Sequence, residues 1–234
     1  MTADTITTIK SERPPRGSRA SRGVAAIELL AVALLVALRW VGVLKNPSLP
    51  ILLLGWAALW LRRSSWRRLG LRRPAGGWRV LAWCAVAAIA YDALDVRALL
   101  PLLHRITGEP ANLSQFQPVA GHLGTVLTWI LIGWTIGAFV EELAYRGLVL
   151  DRLEEVLGHT RAATFLAVLA VSGLFGLIHG YQGITGILDN VFAGAFFALV
   201  YLCAGRNLWG AVVAHGVVNT ISFVLLYFGV NVQG

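Results

Sequence analysis

Two adjacent glutamates and an arginine stand at the end of an uncharged stretch. Leu123–Val140 holds eighteen residues without a formal charge, and "EELAYR" follows at once, supplying Glu141, Glu142 and Arg146. Two histidines and an asparagine lie in later apolar runs. His179 ends "AATFLAVLAVSGLFGLIH", and His215 and Asn219 fall within "LWGAVVAHGVVNTISFVLLYFGV". An ionisable group in hydrocarbon costs about 3 kcal/mol or more, so it persists there when it is paired or does chemistry. A lone histidine in such a run is commonly structural. Here two runs carry one each and a third carries two glutamates.

Helical spacing assigns partners. Glu142 and Arg146 are four apart with the glutamate first, the favourable order for an intrahelical ion pair. Glu141 lies about 100° around the same helix and has no such partner in its own run, so it is the free carboxylate. His215 and Asn219 are also four apart and project from one face. Two stacked polar side chains on an apolar helix must face protein or a wet cavity. A carboxylate, two imidazoles and an amide suit water activation. Glutamate accepts the proton while histidine positions or polarises the water, and a second histidine and the amide donate to a developing oxyanion.

The remaining buried charges read as structural. Glu28 and Arg39 are eleven apart on one helix face and are expected to contact other helices. Asp92, Asp95 and Arg97 sit near the outer end of their run, with Asp95 and Arg97 emerging among headgroups. Asp189, beside Asn190, is expected to make a structural hydrogen bond. His104, His122 and His159 lie in or beside loops.

These side chains need a scaffold, and composition says which kind. The chain of 234 residues is 57% hydrophobic and 14% charged, with mean hydropathy +0.69. Soluble domains carry about 25% charge. The net charge of +8 does not point to nucleic acid, because the basic residues cluster between apolar runs rather than over one face. Residues 1–22 are polar and basic and are expected to be a disordered tail. Residues 23–234 form the helical membrane domain. The expected fold is all-α, a polytopic membrane helix bundle of about seven spans. These are Val24–Leu44, Pro47–Leu61, Trp78–Leu103, Leu123–Leu150, Ala162–Ile178, Ile184–Ala204 and Leu208–Val230, with Pro47–Leu61 short for a full crossing. Cys84 and Cys203 lie inside apolar runs and imply no disulfide framework. Membrane lipid is the expected partner.

Lysine and arginine counts orient the bundle. With the N-terminus cytoplasmic, sixteen of the 20 fall on inside segments, and only Arg39, Lys45, Arg97 and Arg105 lie in the outer half. The cluster "RRSSWRRLGLRR" then fixes topology, with lipid-headgroup binding as the functional alternative. The expected location is a bacterial cell membrane. Simple spans leave one tension. Glu141 precedes an inside loop at Asp151–Arg161, His179 follows it at a distance, and His215 lies early in its own run. Their depths differ by roughly 15 Å unless a helix tilts, the fourth helix runs longer, or a loop is buried.

Taken in order, the three pieces resemble a known family. "EELAYR" matches Glu-Glu-x-x-x-Arg, "FGLIH" (Phe175, His179) matches Phe-x-x-x-His, and "HGVVN" (His215, Asn219) matches His-x-x-x-Asn. Together, over about residues 125–225, they are similar to the CPBP family of intramembrane proteases, which includes the CAAX prenyl endopeptidases and bacterial relatives. The resemblance implies an all-helical membrane fold with the site on the later helices. It implies that Glu141 and His179 activate water, that His215 and Asn219 hold the oxyanion, and that Glu142, Arg146 and Phe175 support them. The substrate would be a membrane-associated or lipid-modified peptide or protein. The family has been described both as glutamate proteases and as metalloproteases. No cofactor is expected, with zinc on Glu141, His179 and His215 as the alternative. Against zinc, a His-Glu-x-x-His helix is absent and asparagine is a poor ligand. An ion path through the buried polar residues and a catalytically silent scaffold are the competing readings.

Reporter fusions in the 62–77 segment are expected to read cytoplasmic, and fusions at 105–120 external. The opposite pattern overturns the orientation.

Overall fold

The computed structural model describes residues 19–230. Apolar runs of helical length become helices because a backbone in lipid must satisfy its own hydrogen bonds. In chain order these are α1 (Arg19–Trp40), α2 (Ser48–Leu61), α3 (78–107), α4 (Leu123–Leu157), α5 (Arg161–Ile178), α6 (Gly183–Cys203) and α7 (Leu208–Tyr227). No strand occurs among the described residues. A short 3₁₀ turn over Ser114–Val119 lies between α3 and α4. Thr160 caps α5 by accepting from the Ala163 amide, and Asn207 caps α7 by accepting from that of Trp209.

The chain is an integral membrane protein, an all-α bundle. Helices form at all seven expected positions. Among the described residues five are long and apolar enough to cross a membrane: α1, α4, α5, α6 and α7. Helix α2, at 14 residues, is shorter than a full crossing. Helix α3 is long, but it carries Arg79, Asp92, Asp95, Arg97 and Arg105. The outer surface is a belt of exposed apolar side chains, among them Ile27, Leu30, Trp60, Trp83 and Phe165. Inside, Tyr145, Leu148, Phe175, Phe197 and Leu208 pack into one cluster fed by every helix but the C-terminal part of α3.

Two expectations need correction. Helix α1 begins at Arg19, inside the stretch assigned to a tail, and residues 1–18 lie outside the described residues. The inside loop expected from Asp151 does not start there, because α4 continues to Leu157. Its last turns bury Arg152, Glu154 and Glu155, each at most 4% exposed. They can be helical and buried because they are paired. Glu28 of α1 accepts from Arg62 Nε at 2.9 Å and also from Arg152. Glu155 accepts from Arg62 Nη1 at 3.3 Å and from Ser21. Glu154 takes both Arg206 nitrogens, at 2.6 and 2.7 Å. The interhelical role expected for Glu28 is what the structure gives.

The longer α4 relieves the depth problem. Its 35 residues span about 50 Å at 1.5 Å each, well beyond the ~30 Å of hydrocarbon. Glu141 therefore sits near its midpoint rather than near its inner end. Around that midpoint the helix is π-wound, over Gly133–Val140 and again over Glu142–Val149. Such winding is rare, and where it occurs it often marks a functional site.

Glu28→Ala removes the acceptor shared by Arg62 and Arg152. A hydrogen bond to a charged group is worth about 1.5–3 kcal/mol, so a drop in melting temperature in detergent is expected. Glu28→Gln keeps an acceptor and should lose less.

Candidate active site

The ion pair expected from spacing is present and fully enclosed. Arg146 Nη1 donates to Glu142 Oε1 at 2.8 Å, and both side chains are 0% exposed. Arg146 Nη2 donates to the Gly194 carbonyl at 2.8 Å. Its guanidinium lies 4.5 Å from the Phe175 ring centroid and 5.4 Å from that of Phe197. Aromatic faces attract a desolvated cation. The carbonyl is reached because α6 comes in close at Gly194, where a Cβ would stand 3.1 Å from Ser172 Cα.

A third group shares that carboxylate, and spacing alone did not reveal it. His215 Nδ1 lies 2.9 Å from Glu142 Oε1. A carboxylate paired with arginine only accepts, so Nδ1 carries the hydrogen and Nε2 keeps its lone pair. Phe197 stacks on the His215 ring, with centroids 4.3 Å apart and planes 12° apart. Glu142 thus orients a candidate site histidine as well as holding Arg146.

His179 is fixed in the same sense by its own helix. Its Nδ1 lies 2.8 Å from the Phe175 carbonyl. A carbonyl can only accept, so here too Nε2 is the free acceptor. The Phe-x-x-x-His spacing now has a physical reason. The Phe175 backbone sets the tautomer, while its ring, 1% exposed, touches Arg146, Tyr145, His215 and Phe197.

Glu141 is nearly buried, at 4% exposure, but not isolated. Ser48 Oγ at the start of α2 donates to its Oε1 at 3.3 Å and is also 3.3 Å from Tyr145 Oη. The Asn46 side chain approaches as well. Asn219 Nδ2 donates one hydrogen to the Gly133 carbonyl at 3.0 Å. Gly137 makes room for that amide, since a Cβ there would stand 2.7 Å from Asn219 Nδ2.

Glu141 from α4, His215 and Asn219 from α7 and His179 from the end of α5 all line one cavity of about 560 Å³. Phe175 lines it too, whereas Glu142 and Arg146 stand behind its wall. Of the three residues expected to support the site, Phe175 reaches the cavity and the Glu142–Arg146 pair does not. Ser48 and Phe197 were missed because no spacing rule links α2 or α6 to α4, whereas Tyr145, four residues after Glu141 on α4, had a helical spacing that could have found it. Asp95 was expected among headgroups. Instead it lines the same cavity and faces Asp189, because α3 packs against α6 there. Among the described residues no three His, Cys, Asp or Glu side chains are placed to hold an ion.

The membrane helix bundle thus gathers a buried carboxylate, a buried and a half-buried imidazole and a half-buried amide around one cavity. Residues 123–221 match the family described as Type II CAAX prenyl endopeptidase Rce1-like, and over that region the chain is similar to this family. The matched region contains Glu141, Glu142, Arg146, Phe175, His179, His215 and Asn219. No curated protein and no solved structure matches the chain.

Removing the shared carboxylate separates support from chemistry. Glu142→Ala strands Arg146 in the core, and an unpaired buried charge costs about 3–5 kcal/mol. Low yield or a collapsed melting transition in detergent is expected. Glu141→Gln keeps its contact with Ser48 and should melt like the parent. If Glu142→Ala folds normally and is inactive while Glu141→Gln works, the two roles are exchanged.

Proposed function

We propose that the protein is an intramembrane endopeptidase that hydrolyses a peptide bond of a membrane-associated or lipid-modified substrate without a metal. The observation that carries this reading is the convergence of Glu141, His179, His215 and Asn219 on one cavity. Water held between the Glu141 carboxylate and His179 Nε2 gives its proton to Glu141 as its oxygen attacks the peptide carbonyl carbon. The carbonyl oxygen becomes the oxyanion. When the C–N bond breaks, the nitrogen takes the proton back from Glu141, leaving a carboxylic acid and an amine.

The hydrogen-bond pattern refines the oxyanion pocket. Asn219 keeps a second Nδ2 hydrogen after bonding Gly133. His215 presents a lone pair at Nε2 while it is neutral, so it stabilises an oxyanion only as an imidazolium. In that form its far nitrogen remains bonded to the Glu142 carboxylate. The apolar part of the wall, with Trp129, Ile132, Ile136, Phe223 and Leu226, suits the hydrocarbon of a lipid-modified or membrane-embedded segment.

Purified protein assayed on a panel of membrane peptides tests the reading. Losing one oxyanion donor typically lowers turnover by about 10²–10³, so Asn219→Ala should be slow with KM largely kept. Glu141→Gln should fall to background, and chelator should have little effect. Stoichiometric zinc, lost together with activity in His179→Ala or His215→Ala, would replace the metal-free reading with a metalloprotease.

A further inference from the structure

The two ends of the bundle differ in charge, and the cavity opens at only one of them. At one end the arginine-rich segment is tied to the α6–α7 turn. Tyr201 Oη donates to the Leu69 carbonyl at 3.0 Å, Asn207 Nδ2 to that of Arg72 at 2.8 Å, and the Leu208 amide to that of Gly70 at 3.0 Å. Arg67, Arg72, Arg73 and Arg79 are exposed there. The α4–α5 turn, the start of α1 and Arg206 join the same end through Glu155 and Glu154.

The opposite end is built from the α1–α2 link, the α3–α4 segment, the α5–α6 turn and the end of α7. The Asn112 amide donates to the Gln182 carbonyl at 2.8 Å, and the Gly121 amide to that of Tyr227 at 3.0 Å. The cations of this half are few: Arg39, Lys45, Arg97 and Arg105. The exposed polar residues of the cavity wall, Lys45, Asn46, Gln115 and Tyr181, all belong to this end. The buried ones, Glu141 at 4% and His215 at 5% exposure, form its floor. His215 lies twelve residues before Tyr227 on α7, so the floor is about 18 Å below this rim. None of the arginine-rich segment lines the cavity.

A membrane protein keeps its arginine-rich end in the cytoplasm. We infer that the cavity opens on the extracytoplasmic side and that its substrate is a peptide segment displayed at the outer face of the membrane, not a lipid-modified tail in the cytosol. This rests on the protease reading only for the word substrate, since the sidedness of the cavity stands on charge and geometry.

Single-cysteine variants on a Cys84→Ala, Cys203→Ala background test it, with a membrane-impermeant maleimide applied to intact cells. Lys45→Cys at the rim and Ser222→Cys on the cavity wall should be labelled before permeabilisation, and Arg67→Cys only after it. Leu113→Cys, also on the wall, replaces Ser222→Cys if that variant fails to accumulate. Label on Arg67→Cys in intact cells, or on the wall cysteine only after permeabilisation, overturns the inference. Labelling needs no turnover. A protein inactive on every peptide but labelled from outside keeps the sidedness and loses the protease reading. An active protein labelled from inside loses the sidedness alone.

Discussion

One carboxylate oxygen organises the centre of this molecule. Glu142 Oε1 takes both Arg146 and His215, from its own helix and from α7. In an apolar interior neither the arginine nor the glutamate is tolerable alone, and a buried pair barely offsets its own desolvation. The guanidinium therefore recruits a carbonyl from α6 and the faces of two phenylalanines. Four helices are drawn to one point by the need to satisfy a single charge pair. The registers of α5, α6 and α7 against α4 follow from it.

The cavity depends on that constraint at one remove. With its Nδ1 hydrogen committed to Glu142, His215 has only one nitrogen left to turn to the cavity. His179 is committed in the same way by a backbone carbonyl. Two histidines in apolar helices thus present one kind of nitrogen each, without relying on any group that a substrate could displace. Glu141 differs in that its partners are neutral side chains, the Ser48 hydroxyl at 3.3 Å and the Asn46 amide. No arginine is bonded to it among the described residues, which suits the proton acceptor proposed above.

How much of this was legible in the sequence depends on range. The helices were readable because lipid forces hydrocarbon-length apolar runs to be helical, and all seven runs gave one. The Glu142–Arg146 pair was readable because four residues is a helical contact. The end of α4 was not, since the charges at 151–155 read as a loop until their partners on α1, α2 and the α6–α7 turn are known. The bonds from His215 to Glu142 and from Ser48 to Glu141 join residues far apart in the chain, and no periodicity encodes them. The π-wound middle of α4 was equally hidden. Its sequence is as apolar as an ordinary span, and the winding shows only in the backbone.

The ionic contacts at the arginine-rich end have a mechanical side. Among the described residues, every salt bridge outside the central pair lies there, joining α1, α2, α4 and the α6–α7 turn. At the other end the segments are joined by backbone bonds, such as Asn112 to Gln182 and Gly121 to Tyr227, and by single contacts of Glu109 to the Ile184 amide and of Arg39 to the Tyr181 ring. The bundle is therefore stiff at its base and compliant at its rim, like a pair of tweezers welded at one end. Thermal bending in such a body widens the rim while leaving the floor in register. A bulky segment can be admitted without moving the carboxylate and imidazoles that await it.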